Sequence, residues 1–253
     1  MKLAFAIEGV PGAPALVLSP ALGTTTSLWT AQEPVLAPRF RVVRHDHPGH
    51  GHSHEPDEPV TVETIGRGVL GVLDELGIER ASFCGVSLGG MVGMWLAANA
   101  PERIERLVLV STGARLGTPE LYQERAKLVR AKGTAALVDG ARGRWFTEPF
   151  RDSPEADAIM EELAAVPDES YAACCEAVGA WDFRKELGRV AAPTLVVAGA
   201  EDPVTTPEVC ETLVDGIPDA RLHVIPDGAH LVNVERPEAF AEAALGHLEG
   251  GAR

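Results

Sequence analysis

Six residues constrain this chain most: Gly85-Val86-Ser87-Leu88-Gly89-Gly90. A short apolar run, Ser82 to Val86, leads into them. A helical pattern, Leu88 to Ala100, leaves them and stops at Pro101. A strand must therefore turn into a helix with a serine at the corner. Glycines flank that serine because neighbouring backbone comes too close for a Cβ. Such a turn holds the serine in a strained conformation and aims the free N–H groups of the helix N-terminus at its hydroxyl. A plain glycine-rich turn has the same letters, but not the strand before and the helix after.

The rest of the chain repeats this alternation. Ala15 to Leu18, Phe40 to His45, Leu107 to Ser111, Leu195 to Ala198 and Leu222 to Ile225 are short, continuous apolar runs. They read as strands buried on both faces. Helical patterns lie between several of them: Val62 to Leu76, Pro207 to Val214 and Pro237 to Leu248, the last two opened by proline. The expected class is α/β, a mostly parallel central sheet flanked by helices. The rhythm breaks between Gly113 and Trp181, where helical candidates alone appear: Glu120 to Ala131, Thr134 to Arg142, Pro154 to Val166 and Ser170 to Val178. The expected organisation is a core of residues 1–112 and 182–253 with a helical cap insertion at 113–181. A chain of 253 residues suffices for one such core.

Charge narrows the partners. The formal net charge is −15, which argues against nucleic acid and against anionic membrane surfaces. No apolar run reaches the roughly 20 residues of a membrane span. The N-terminal stretch has no leader layout, so a cytoplasmic location is expected. Cys84, Cys174, Cys175 and Cys210 are too few, and wrongly spaced, for a disulfide framework, and are expected to be reduced. His45, His47, His50, His52 and His54 crowd one loop with Pro48, Gly49 and Gly51. A metal site is one reading. The other is a strand-to-helix loop whose turns break any regular ligand spacing, and no metal or other cofactor is expected.

A serine nucleophile needs a base. His230 follows the last buried strand in Pro226-Asp227-Gly228-Ala229-His230. Asp202 follows the preceding strand in Gly199-Ala200-Glu201-Asp202-Pro203, with Glu201 as rival acid; Asp227 is too close to His230 in its own turn. Ser87, Asp202 and His230 would all lie past the C-terminal ends of parallel strands, where such sheets bind ligands. Two N–H donors must meet the developing oxyanion. Leu88 is one; Ala21, with Leu22 as the alternative, is the other, from the loop Ser19-Pro20-Ala21-Leu22-Gly23.

With the order Ser, Asp, His, these residues resemble the α/β-hydrolase superfamily. A narrower resemblance, to the 3-oxoadipate enol-lactonases, runs from the N-terminus to about Leu248. It is carried by Ser19 to Thr24, His47-Pro48-Gly49-His50-Gly51, Gly85 to Met91, Trp95 to Arg103, Arg144-Trp145-Phe146 and Ala229 to Pro237. The resemblance implies cofactor-free hydrolysis of a small-molecule enol-lactone in aromatic catabolism. The chain departs from it twice: the first edge strand, near Leu3 to Ile7, is expected to be absent or shortened, and Leu88 stands where those enzymes often carry methionine.

Carboxylesterases, perhydrolase-like enzymes and C–C bond hydrolases use the same machinery, and a non-catalytic receptor with a hydrolase pocket is the reading from another class. A haloalkane dehalogenase would need a carboxylate at Ser87. A lactone bearing a carboxylate would need a cation in the pocket of so acidic a protein. The insertion offers Arg142 and Arg144; Arg144 is placed to clamp that acid, with Trp145 and Leu22 against the ring. The alternative is that Arg144 is a solvated helix-end residue and Trp145 part of the cap's own core. The oligomeric state is left open.

Overall fold

Apolar runs without alternation can be strands only where both faces of the sheet are covered. A computed structural model describes residues 1–250, so the last three residues of the expected core range lie outside the described residues. In chain order the first elements are β1 (Phe5–Gly9), β2 (Ala15–Ser19), α1 (Glu33–Leu36), β3 (Arg41–His45), α2 (Val62–Glu75) and β4 (Ala81–Val86). Then come α3 (Leu88–Asn99), β5 (Ile104–Val110), α4 (Pro119–Lys132), α5 (Val138–Trp145), α6 (Pro154–Ala165) and α7 (Asp168–Ala180). β6 (Thr194–Gly199), α8 (Pro207–Gly216), β7 (Ala220–Ile225), α9 (Val232–Glu235) and α10 (Pro237–Leu248) complete the chain. Every residue of β4 and of β6 is buried, as the apolar runs require, but β7, expected to be buried on both faces, is an edge strand with His223 and Val224 exposed.

The strands form one sheet in the order β1-β3-β2-β4-β5-β6-β7. Only β1 runs antiparallel; it pairs with β3 from Phe5 opposite His45 to Gly9 opposite Arg41. The edge strand expected to be absent or shortened is thus a five-residue strand. After β2 the chain steps outward to β3, then returns to place β4 on the other side of β2. The order reverses there, and a crevice opens beyond the C-terminal ends of β2 and β4. Ser87 follows β4 directly, and the Ser19 to Gly23 loop leaves β2.

Local chemistry sets the helix boundaries. Thr61 caps α2: its hydroxyl accepts from the Thr64 N–H, and Thr64 returns a bond to the Thr61 N–H. Proline opens α4, α6, α8 and α10. Between β5 and β6 there are only helices, α4 to α7 with short 3-10 turns. α4 lies along α7, where a Cβ on Gly179 would press on Tyr122 at 2.7 Å. The four cysteines are buried and unbridged.

Helix α3 seats on β4 and β5 through Gly93, where a Cβ would meet Phe83 and Leu107 at 2.9 Å. Phe83 is fully buried there. Phe83→Ala should cost about 3–5 kcal/mol. In a chain of this size thermal unfolding should then shift down by roughly 2–4 °C per kcal/mol. An unchanged midpoint would mean that α3 and β4 repack around the missing ring.

Candidate active site

Ser87 sits at φ 53, ψ −111, a conformation few L-residues adopt. The backbone around it is pinned. Its N–H donates to the Val110 carbonyl at 2.9 Å, and its carbonyl accepts from the Thr112 hydroxyl at 2.7 Å and the Met91 N–H at 3.1 Å. The flanking glycines are required by contact: a Cβ on Gly85 would overlap the Gly89 backbone, and one on Gly89 would overlap the Ser19 carbonyl. The Gly89 N–H donates to the Pro20 carbonyl at 3.2 Å, so the elbow and the Ser19 to Gly23 loop are fastened together.

Asp202 and His230 are buried side by side, with His230 Nδ1 2.8 Å from the Asp202 carboxylate. Asp202 also accepts the Val204 N–H at 2.7 Å, the Thr205 N–H at 3.0 Å and the Thr205 hydroxyl. Burial alone would raise its carboxyl; the His230 ring and the Thr205 donors outweigh burial and hold it at about 2. The rivals face solvent: Glu201 and Asp227 are both exposed. Ser87 and His230 line one cavity. No hydrogen bond joins the Ser87 hydroxyl to the ring; such pairs often tighten only around substrate.

The histidine-rich loop holds the loop after β2. His45 Nε2 shares a hydrogen bond with the Ser19 hydroxyl at 2.9 Å, and His47 Nε2 donates to the Pro20 carbonyl at 2.8 Å. His50 Nδ1 donates to the Pro48 carbonyl at 2.9 Å, leaving Nε2 to accept the Gly23 N–H at 3.1 Å. That arrangement requires a neutral ring. His52 and His54 are exposed. The N–H groups of Ala21, Leu22 and Leu88 take no protein acceptor among the described residues.

The cavity holds about 260 Å³ and is also lined by Ala21, Leu22 and Trp145. Arg144 is half-buried in its wall, whereas Arg142 lies outside it in an ion pair with Asp157 at 2.8 Å. The sequence reading missed a second cation, Arg125, and two tyrosines, Tyr122 and Tyr171. Neither Arg125 nor Arg144 meets a carboxylate among the described residues. Burial, then the Arg125 charge, lowers the Arg144 guanidinium from its ordinary value. A signal for Arg125 exists: it falls at helical spacing between the buried Tyr122 and Val129 of α4.

A family model for the alpha/beta hydrolase fold matches residues 14–237. The chain is 40% identical over 245 residues to 3-oxoadipate enol-lactonase 2 of Acinetobacter baylyi, spanning 96% of this chain and 91% of that protein. The solved enol-lactonase of Burkholderia xenovorans LB400 superposes with TM-score 0.95 at 40% identity, over 98% of this chain and 96% of that one. A thermophilic esterase from Thermogutta terrifontis superposes with TM-score 0.91 at 29% identity, over 98% and 93% of the two chains.

Burial first of all pushes His45 down to about 4 from its ordinary 6.5, and lowers His47 and His50 as well. As the pH falls through 6.5, an unfolded chain binds protons that these rings refuse when folded. Stability is therefore complete above 6.5 and drains toward pH 4, by about 1.4 kcal/mol per pH unit for His45, with His47 and His50 acting in the same direction. Denaturant midpoints measured across that window should fall steeply. A flat profile would mean that the folded rings take up protons.

Proposed function

The chain belongs to the α/β-hydrolase family, and from that premise we propose that it opens an enol-lactone ring through an acyl-enzyme on Ser87, His230 and Asp202. The observation that carries the reading is the cavity itself: Ser87 and His230 share it with two arginines that have no carboxylate partner among the described residues. Such a cavity suits a small lactone that bears an acid.

Ser87 Oγ attacks the ring carbonyl while His230 Nε2 takes its proton. Asp202 holds the ring by Nδ1 and stabilises the imidazolium. The oxyanion is met by the N–H of Leu88 and that of Ala21, with Leu22 as the alternative donor. Collapse breaks the ring C–O bond; the enol oxygen leaves with the proton from His230 and becomes a ketone. An enol leaves more readily than an ordinary alcohol, so little further acid help is needed. Water then attacks the acyl-enzyme, His230 takes its proton and returns it to Ser87, and a diacid is released. Residues 113–181 act as a cap whose Arg144 meets the substrate carboxylate, with Trp145 and Leu22 against the ring. The repulsion between the half-buried Arg144 and Arg125 would be relieved by an anion between the cavity walls.

Resemblance to a solved esterase keeps a neutral-ester hydrolase as the second reading. Two experiments test the proposal. Ser87→Ala should lower turnover on an enol-lactone by about 10³-fold or more while leaving the circular dichroism spectrum intact. More than a tenth of the activity surviving would remove Ser87 from the reaction. His230→Ala should do nearly as much harm.

Arg144→Ala should raise KM for an anionic lactone by about tenfold or more, the equivalent of a lost charged hydrogen bond. It should barely change KM for a neutral p-nitrophenyl ester of similar size. Equal losses on both substrates would mean that Arg144 only supports the cap.

A further inference from the structure

Glu235 is a charged side chain that the chemistry above does not use, yet it is 4% exposed. It ends α9, five residues after His230. One carboxylate oxygen accepts the Ala229 N–H at 2.8 Å. The other accepts the Thr147 N–H at 3.0 Å and the Thr147 hydroxyl. No basic side chain pairs with it among the described residues. Burying an unpaired carboxylate is costly unless donors replace water, and here three donors do.

Those donors come from two segments far apart in sequence. Ala229 precedes His230. Thr147 follows the cavity-lining pair Arg144 and Trp145 by two residues. The other neighbour of His230 is tied the same way: the Leu231 N–H donates to the Trp145 carbonyl at 3.1 Å. His230 is thus bracketed, on one side through Glu235 and on the other directly, by the stretch that forms the cavity wall.

We propose that Glu235 is a positioning residue, which locks the His230 loop to the end of α5 so that the base and the substrate-binding wall keep one register. The proposal rests on the reading of His230 as the base. Its chemistry explains why a carboxylate is needed. Two oxygens must each accept, in opposite directions. Glutamine keeps the shape but turns an NH2 toward one N–H, so one tie is lost. Aspartate keeps the charge but is one methylene too short to reach both.

The test compares Glu235→Gln, Glu235→Asp and Thr147→Val on the full chain, beside Ser87→Ala and His230→Ala. Both Glu235 variants should lower kcat by about tenfold or more, as expected for a misplaced catalytic group. The acid limb of kcat/KM should move to lower pH in Glu235→Gln, because a loosened His230–Asp202 pair stabilises the imidazolium less. Thr147→Val removes one donor and keeps the carboxylate; it should lower kcat by about threefold and have no further effect in the Glu235→Gln background. It also serves if the Glu235 variants fail to fold. Wild-type kcat in Glu235→Asp would overturn the proposal, since charge alone would then suffice. So would lower thermal stability with kcat, KM and the pH limb unchanged. Activity persisting in Ser87→Ala and His230→Ala would instead defeat the underlying mechanism, which separates the two failures.

Discussion

The arrangement depends on one close approach: the N-terminus of α3 against the backbone that leaves β2. Gly89 has no room for a Cβ beside the Ser19 carbonyl, and its N–H is taken by Pro20. The two stretches proposed to supply hydrogen-bond donors to the oxyanion are thereby fixed at backbone level, before any side chain is considered. Donors aimed in advance cost no reorganisation when charge develops. Ser87 meanwhile occupies a conformation worth roughly 1–3 kcal/mol of strain. Hydrogen bonds to Val110, Thr112 and Met91 over-determine its backbone and keep it there.

Charge works at two scales. The chain carries 37 acidic against 22 basic residues, so its distant field repels anions. Salt confines that field to about 8–10 Å. Inside the cavity the nearest charges decide, and those are Arg125 and Arg144. Other arginines of the same helices take acids: Arg130 of α4 takes Glu169 and Glu176, and Arg142 of α5 takes Asp157. Arg125 and Arg144 have no carboxylate among the described residues; Arg125 lies instead over the Tyr122 ring, 5.1 Å from its centroid. An anion drawn into the cavity, as proposed, would meet these two charges at short range, where Coulomb attraction is strongest.

What could be read from the sequence was what local chemistry encodes. The elbow needs glycine at fixed offsets, and the buried strands need unbroken apolar runs, so the turn at Ser87 and the strands β2 to β7 were legible, though not their order in the sheet. That Asp202 and His230 would come together was legible because each follows a strand of the parallel sheet. Arg125 was missed because α4 carries mostly polar residues and only three of its residues are buried, Tyr122, Ala126 and Val129. Glu235 was missed because its partner Thr147 is 88 residues away, and a glutamate two residues before proline reads as an ordinary helix entry. The histidine loop was legible as a loop. Its partners were not, since Ser19, Pro20 and Gly23 are brought to it only by the pairing of β2 with β3.

Helices α4 to α7 are joined to the core by contacts with little slack. A Cβ on Gly23 would press on Leu163 at 2.7 Å and Tyr171 at 3.1 Å, and one on Gly49 would overlap Ser170. The Trp145 carbonyl is bonded to Leu231. Close-packed contacts of this kind do not deform continuously. The Gly23 contact touches the loop that follows Leu22; the Trp145 bond touches the residue that follows His230. A substitution deep in α6 or α7 therefore reaches the loops that carry Leu22 and His230 through one packed layer. The shape of the cavity and the placement of His230 are set by the same interface, so under the proposed mechanism specificity and rate are not independent quantities.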